Sequence, residues 1–202
     1  MSAVRADVTL EPLPAAAIPE PIEAVIGRRG STRRFPREAI PRDRFATICH
    51  LATRPAPLDV AVPVELHVII NAVDGLAPGA YRCGPDGHML ELRRPGDFRD
   101  TAGHLDLGQA LAADAAANLY WLADLDAVFT RLGERGYRAV QLAAAIAGGR
   151  AYLAAYALGL GATGLTFFDD DVARFLAPDV PGMGVMFLVA VGRTRRAAAA
   201  AH

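Results

Sequence analysis

The chain has 202 residues, of which 52% are hydrophobic and 21% are charged, and its formal net charge is −1. This length fits one domain with short appended segments, and the apolar fraction is ample for a core. A net charge near zero gives no electrostatic reason to expect a nucleic acid as partner. The two cysteines, Cys49 and Cys83, have no C-x-x-C spacing, so the sequence predicts neither a disulfide framework nor a zinc site.

The amino-terminal stretch carries acidic residues and prolines where a secretory signal peptide would have an unbroken apolar run. The longest apolar runs are far shorter than the roughly 18 residues needed to span a membrane. We therefore expect a cytoplasmic protein with no membrane contact. Three parts are predicted: an extended arm over 1–20, one domain over 21–196 and an alanine-rich tail over 197–202.

Hydrophobic periodicity predicts the elements of the first half of the chain in order. Two helices and three strands are expected. The helices cover Pro21–Gly27 and Pro41 to about Thr53; the strands cover Val62–Val73 and both sides of the turn Gly84-Pro-Asp-Gly.

The second half alternates helices and strands irregularly, which indicates an α+β or mixed α/β class. Its predicted elements are a helix around Leu107–Ala116, a strand over Leu119–Phe129, a long helix over 134–160 ended by Gly159–Gly161, a short helix to Leu176 capped by Asp169 or Asp170, and a strand over Met183–Val191. Small side chains dominate the long helix, so another helix can approach it closely. We expect it to be central and to lie at a subunit interface.

Two basic clusters are candidates for binding a phosphate. The first surrounds Arg29, Ser31 and Arg33, and the second, Arg193-Thr-Arg195-Arg196, follows the last strand. Arginine supplies paired donors and serine adds a neutral one. If the last strand lies beside the first helix, the clusters could converge on one phosphate; otherwise they are solvated basic loops.

A glycine-rich segment, Gly159 to Gly164, follows the long helix and leads to Phe168-Asp-Asp. It permits close backbone approach to a flat ligand, with N–H groups directed at a ring nitrogen. The alternative is an ordinary helix end followed by a connecting loop. For the acidic run Asp169–Asp171, a helix start is favoured over a metal site.

The order of these motifs resembles the nitroreductase-like FMN flavoproteins, and within them the SagB-type dehydrogenases, a branch that includes azoline oxidases. The shared features are S-x-R-x-F near the start, a G-L-G loop ending in F-D-D and V-G-R after the last strand. Further similar stretches are 63–67, 78–92, Gly133-Glu-Arg-Gly-Tyr-Arg138 and 151–161. The resemblance implies an α+β fold with a central, mostly antiparallel sheet flanked by helices, and a homodimer with FMN at the interface.

The resemblance also implies which residues contact FMN. The phosphate contacts are Arg29, Ser31, Arg33 and Arg193 or Arg195, and the loop facing the flavin N5 edge is Gly164, Leu165, Thr166 and Phe167. No metal is expected.

This sequence departs from the azoline oxidases at the groups that would move a proton. Those enzymes carry a Lys-Tyr pair just before G-x-R-G-Y-R, whereas this chain has Arg131-Leu132. Arginine stays protonated, so Arg131 can hold an anion but cannot act as a base. Arg131 and Tyr137 are the catalytic candidates, with His67 as a further side chain that could line the substrate face; considered alone, each residue favours a plain core or surface role.

Three functions follow from this resemblance. The first is an FMN-dependent oxidoreductase that oxidises a peptide-derived or other natural-product intermediate, with a small-molecule or peptide substrate and possible help from a biosynthetic partner protein. The second is an NAD(P)H-dependent nitro or quinone reductase. The third is a non-catalytic flavin-binding or partner subunit.

Overall fold

The computed structural model describes residues 7–18 and 20–194. Its strands are β1 Asp7–Thr9, β2 Glu65–Ile70, β3 Gly79–Cys83, β4 Met89–Pro95, β5 Ala117–Asp124, β6 Gly161–Gly164 and β7 Met183–Gly192. Its α-helices are α1 Ile22–Arg28, α2 Arg42–Thr53, α3 Arg99–Leu105, α4 Ala110–Asp114, α5 Leu125–Leu132, α6 Gly136–Ala157 and α7 Asp169–Leu176. None of the helices in the described ranges has the length and apolar character that crossing a membrane requires.

All seven strands form one sheet in the order β1-β4-β3-β2-β5-β7-β6. Every neighbouring pair is antiparallel. At the centre, Val68 of β2 lies opposite Leu119 of β5, which lies opposite Val189 of β7, and all three are buried. The expected α+β class with a central antiparallel sheet is confirmed.

Alternate residues of β5 point to opposite faces of the sheet, and each face is covered by helices. Leu119 and Trp121 belong to the larger core cluster, which includes residues of α2 and α6. Tyr120 and Leu122 belong to a second cluster with residues of α3, α4 and α7. The core is therefore divided into two layers by the sheet.

Helix α6 lies close to the sheet because the residues on its buried face are small. Ala144, Ala147 and Ala151 are buried there. A Cβ atom at Gly148 would collide with the ring of Phe187 on β7. The prediction of a central helix rich in small residues is confirmed, whereas its place at a subunit interface stays a prediction.

The predicted strand Leu119–Phe129 is wrong in its second half. Strand β5 ends at Asp124, whose carboxylate accepts a hydrogen bond from the Ala127 backbone N–H at 2.9 Å and so caps α5. The apolar residues that follow belong to an amphipathic helix. The aspartate at the N-cap position marks the start of this helix. Treating the apolar residues before and after it as one strand misses that start.

Other boundaries also differ from expectation. The helix expected around 107–116 is the shorter α4, and α3, which precedes it, was not predicted; in the turn between them Leu107 and Gly108 have φ of 57° and 69°. The strand expected over Val62–Val73 is confined to β2, and the glycine-rich segment contains a strand, β6. The arm over 1–20 includes β1, which pairs with β4, while residues 1–6 and 19 lie outside the described part of the chain.

Helix α7 begins at Asp169 as its first helical residue. The N-cap is Phe168, and no side-chain cap bond is formed there. The prediction that Asp169 or Asp170 caps this helix is therefore wrong. The three aspartates instead occupy the first turn, where their negative charge interacts favourably with the positive end of the helix dipole.

Candidate functional site

The segment Arg29–Arg33, directly after α1, is held against the carboxyl-terminal part of α6. The Tyr152 hydroxyl donates to the Gly30 carbonyl at 2.6 Å and lies 3.1 Å from the Ser31 Oγ. The Arg29 guanidinium lies over the Tyr152 ring, 5.4 Å from its centroid. The side chains of Arg29, Ser31 and Arg33 are exposed, so the backbone is fixed while the donors remain accessible to an anion.

Thr32 fixes the same segment to the sheet. Its backbone N–H donates to the Ala162 carbonyl at 2.9 Å, and its Oγ1 lies 3.1 Å from the Tyr156 hydroxyl. Neighbouring Arg28 forms an ion pair with Glu20 and donates to the Tyr156 carbonyl at 2.7 Å. The Arg28 guanidinium is thus occupied by an ion pair and a carbonyl, whereas Arg29 contacts the Tyr152 ring only through its face.

The end of β7 lies beside this segment, as the hypothesis of converging clusters requires. A Cβ atom at Gly161 would collide with Thr32 and Thr194, and one at Gly192 would collide with Phe35. Segment 32–35, the start of β6 and the end of β7 therefore meet at one edge of the sheet.

Arg193 follows β7 at that edge, but its side chain already has protein partners. Its Nε donates to the Ala39 carbonyl at 2.6 Å and lies 3.8 Å from the Glu38 carboxylate. Arg195 lies outside the described residues.

The loop after β6 is tied to the turn between α3 and α4. Gln109 Nε2 donates to the Thr166 carbonyl at 3.2 Å, lies 3.3 Å from the Thr166 Oγ1 and donates to the Asp106 carbonyl at 2.8 Å. The Phe168 N–H donates to the Leu105 carbonyl at 2.8 Å. Sequence reasoning missed Gln109, because its contact with Thr166 spans 57 positions and leaves no local pattern.

A small apolar cluster joins this loop to segment 29–35, which contains the predicted phosphate contacts and is called the phosphate segment below. Phe35, Ala115 and Ala190 are buried together, and Leu165 and Leu111 pack against them. The structure thus brings together two stretches that the sequence offered separately, 29–35 and 164–167.

Asn71, at the end of β2, is a second residue that sequence reasoning missed. Its Nδ2 donates to the Ala115 carbonyl at 3.0 Å. Its buried Oδ1 has no hydrogen-bond partner within the described ranges. The signal in the sequence was a polar residue directly after an apolar strand. A buried acceptor without a partner is uncommon in folded proteins, so this amide oxygen is a candidate ligand contact.

Beneath the α3–α4 turn lies a fully buried carboxyl group, Asp106. The Tyr120 hydroxyl lies 3.1 Å from both of its oxygens. Burial raises the pKa of Asp106 to about 8, although the Tyr120 hydrogen bond acts in the opposite direction. Burial, with the nearby carboxyl as a further cause, also raises the pKa of Tyr120 well above its ordinary value.

The two catalytic candidates lie away from the phosphate segment. Arg131, near the end of α5, donates to the Ala61 carbonyl. Tyr137, in the first turn of α6, is 40% exposed. It precedes Tyr152 by fifteen residues on the same helix, which corresponds to about 22 Å. His67 is buried, with Nε2 lying 3.3 Å from the Glu65 carboxylate.

The two cysteines lie in the interior of the protein. Cys49 and Cys83 are free and buried, and both belong to the larger core cluster. Burial raises the pKa of the Cys49 thiol well above its ordinary value, and the adjacent Cys83 adds to the effect. In the part of the chain that the structure describes, no group of three or more His, Cys, Asp or Glu side chains could hold a metal ion.

The sequence profile of the nitroreductase family matches residues 26–193. The chain therefore belongs to the nitroreductase family, which consists in general of flavin-dependent oxidoreductases and typically binds FMN. The resemblance noted in the sequence is confirmed at this level. No curated protein sequence matches the chain significantly.

Solved structures with the same fold include three useful comparisons. A protein of Anabaena variabilis, described as a candidate nitroreductase, has 27% identity and a TM-score of 0.83 over 96% of this chain and 42% of its own. The chain thus spans less than half the length of that protein. A similarly described protein of Ralstonia eutropha has 21% identity and a TM-score of 0.74, with 96% and 92% coverage.

The third structure is a chain of the E. coli microcin synthetase McbBCD complex with truncated pro-MccB17 bound. It has 15% identity and a TM-score of 0.70 over 83% of this chain and 70% of its own. At such identities the likeness of the last two structures is one of fold.

Proposed function

We propose that this chain binds FMN and is a SagB-type oxidoreductase that acts on a peptide-derived or other natural-product intermediate. The observation that carries the proposal is the convergence of segment 29–35, the end of β7 and loop 164–167 at one edge of the sheet. These are the stretches that the family resemblance assigns to the flavin.

The residues at this edge fit FMN chemically. Arg29, Arg33 and Ser31 form an exposed donor set suited to a phosphate. The cluster around Phe35 and Leu165 offers apolar surface for a ring system. The Nε of Arg193 is bound to the Ala39 carbonyl and lies near Glu38, so we assign the main phosphate contacts to the first cluster.

When bound, FMN would supply the redox chemistry by taking up a hydride equivalent from the substrate. The chain's own residues have other tasks. Arg29 and Arg33 bind the phosphate, and Gln109 holds Thr166 and thereby the loop that faces the ring. Arg131 can orient an anionic group but cannot take the substrate proton near neutral pH.

A homodimer follows from the position of the catalytic candidates. Tyr137 is about 22 Å along α6 from Tyr152, by helix geometry, so we expect it to serve the flavin whose phosphate is bound by the partner subunit. Tyr137 and Leu142 are 40% and 50% exposed on α6, which provides apolar surface for such contact.

Substrate class and biosynthetic partner rest on the resemblance to SagB-type proteins. The motifs that carry it are G-x-R-G-Y-R at 133–138 and the stretch 78–92. The fold likeness to a chain of a peptide-bound synthetase complex is compatible with a peptide substrate and a partner protein.

A nitro or quinone reductase fed by NAD(P)H is the second candidate. Arg131 in place of a proton-accepting pair favours it, because hydride transfer to a nitro or quinone group needs no base on the protein. Bleaching of the yellow protein by NADPH would support this candidate, and a colourless protein that takes up no flavin would favour a non-catalytic partner subunit.

The test is a flavin titration of three proteins: the unmodified chain, Arg33→Ala and the matched control Arg34→Ala. A charge-assisted phosphate contact is worth about 1.5–3 kcal/mol, so Arg33→Ala should weaken FMN by roughly 10- to 150-fold. Arg34 is exposed in the same segment and is not among the predicted phosphate contacts. Replacing such a surface side chain usually changes a free energy by no more than about 0.5 kcal/mol, so the FMN affinity should stay within about two-fold. Equal affinities for all three proteins would contradict the proposed phosphate site.

A further inference from the structure

The turn between α3 and α4, residues 106–109, joins the interior of the protein to the loop 164–167. Asp106 is fully buried at the start of this turn, whereas the next two residues, Leu107 and Gly108, are exposed. These two residues have positive φ, of 57° and 69°, and this left-handed conformation is unfavourable for leucine. A strained backbone of this kind persists only where contacts on both sides of it fix the chain.

On the outer side, Gln109 connects the turn to the loop. Its Nε2 donates to the Asp106 carbonyl at 2.8 Å and to the Thr166 carbonyl at 3.2 Å. Its backbone N–H also donates to the Asp106 carbonyl, at 3.2 Å. The Asp106 carbonyl thus sets the position from which Gln109 reaches Thr166, and a displacement of Asp106 changes that contact directly.

On the inner side, the Asp106 carboxyl contacts Tyr120 of β5, whose hydroxyl lies 3.1 Å from both carboxyl oxygens. Both side chains are fully buried. Besides burial, Tyr120 is the group that acts on the Asp106 pKa, and no cation among the described residues contributes. An ionised Asp106 would therefore be a buried charge with one donor and no counter-ion, which is unfavourable unless water reaches it.

The charged groups on the neighbouring helices have other partners. His104 of α3 lies 3.9 Å from Asp171 of α7, and Asp114 of α4 pairs with Arg37. Arg99, at the start of α3, donates to two backbone carbonyls. The other charged side chains on these helices are exposed: Asp100, Asp169, Asp170 and Arg174. None of these groups offsets a negative charge on Asp106.

We propose that Asp106 is a pH-dependent positioning residue for loop 164–167. Its neutral carboxyl keeps the turn in place, so that Gln109 holds Thr166, and loss of the carboxyl proton to solvent displaces the turn and releases Thr166. The exposed residues Leu107 and Gly108 directly follow Asp106, so the turn is the part of the chain that can move to bring water to the charge. The inference deepens the proposed function and rests on it at one point, the position of this loop at the flavin.

The test is a pH titration by NMR of the full chain, without FMN, labelled with ¹³C at the aspartate side-chain carboxyls and the threonine backbone carbonyls. The Asp106 and Thr166 signals are identified by their loss in Asp106→Asn and Thr166→Ser. We expect both signals to shift with one midpoint at about pH 8. His104→Gln is the control for the exposed histidine of α3, and it should retain both shifts.

Three variants separate positioning from a purely structural role. In Asp106→Asn the Thr166 signal should no longer shift near this pH, and in Gln109→Ala the Asp106 carboxyl should titrate without Thr166 following it. In Tyr120→Phe both shifts should move to higher pH, because the Tyr120 hydrogen bond lowers the pKa of Asp106. The unmodified protein and Tyr120→Phe decide the matter even if Asp106→Asn does not fold. A Thr166 signal that does not follow the Asp106 midpoint would overturn the proposal.

A fluorescence titration with FMN then connects the loop to the flavin. From about pH 6.5 to about pH 9.5 the affinity of the unmodified protein should fall roughly 2- to 13-fold more than that of Asp106→Asn, the equivalent of one neutral hydrogen bond. An equal change in both proteins would also overturn the proposal. If neither protein binds FMN at either pH, the proposed function is wrong, and the ¹³C titration alone decides whether Asp106 positions Thr166.

Discussion

Replacing Asp106 by asparagine should make the protein more stable at neutral pH and remove part of its pH dependence. Asp106 is fully buried, and burial raises its pKa from the ordinary 3.8 to about 8. Between these values the folded protein keeps a proton that the unfolded chain has released. Stability is therefore fully present below about pH 3.8 and is lost progressively as the pH rises toward 8.

The magnitude follows from the difference of one bound proton. Each pH unit inside this window changes the free energy of unfolding by about 1.4 kcal/mol. From about pH 5.5 to about pH 7.5 the free energy of unfolding should thus fall by about 2–3 kcal/mol because of this carboxyl. An asparagine side chain at this position would have no proton to release, and its amide oxygen can still accept from the Tyr120 hydroxyl.

The assay is urea unfolding at about pH 5.5 and about pH 7.5 for the unmodified protein, Asp106→Asn and Asp100→Asn, an exposed position on α3. The window avoids Glu65, whose pKa is lowered to about 2 by its hydrogen bond to His67 and by Arg82. We expect the unmodified protein and Asp100→Asn to lose more stability than Asp106→Asn over this interval. If all three lose the same amount, Asp106 is ionised in the folded protein and the reasoning from burial is wrong.

Three further predictions concern packing, assembly and chemistry. Gly148→Ala should destabilise the protein by about 1–3 kcal/mol in urea unfolding, because its methyl group would collide with Phe187, whereas Gly149→Ala, with open space around it, should not destabilise it. Light scattering at micromolar concentration should give a dimer, and a monomer would count against the proposed assembly. The FMN-loaded protein should be slow on a thiazoline peptide, and Arg131→Lys with Leu132→Tyr should raise the rate, since general-base help is worth roughly 100- to 10,000-fold. Efficient loss of two hydrogens from the peptide by the unmodified protein, measured by mass spectrometry, would refute this last prediction.

Much of the fold could be predicted because its strongest signals are local. The helix from Pro41, the hairpin at Gly84–Gly87 and the last strand each combine periodicity with a turn or a start signal. The wrong predictions occur where one continuous apolar stretch of the sequence contains parts of two secondary-structure elements. Residues 119–129 read as a single strand because α5 presents apolar residues immediately after β5, and only the cap at Asp124 marks the change.

The residues of the candidate site could be predicted from the sequence, but the contacts that hold them in place could not. Arginines around a serine indicate a phosphate from residue chemistry alone. By contrast, the support of Ser31 by Tyr152 spans 121 positions and that of Thr166 by Gln109 spans 57. Such contacts depend on how α6 and the α3–α4 turn pack on the sheet, and this information is absent from any local window.

Helix α6 runs between two distant parts of the molecule. The catalytic candidate Tyr137 lies near one end of this helix, and the phosphate segment contacts the other end. Its carboxyl-terminal part holds Ser31 through Tyr152, and its amino-terminal part carries Tyr137. A two-fold axis near the middle of this helix would reverse the order of these residues in the second copy. Each Tyr137 would then lie toward the partner's phosphate segment, so that two incomplete halves form two complete sites. A protomer that binds FMN only as a dimer is the behaviour we expect from this arrangement.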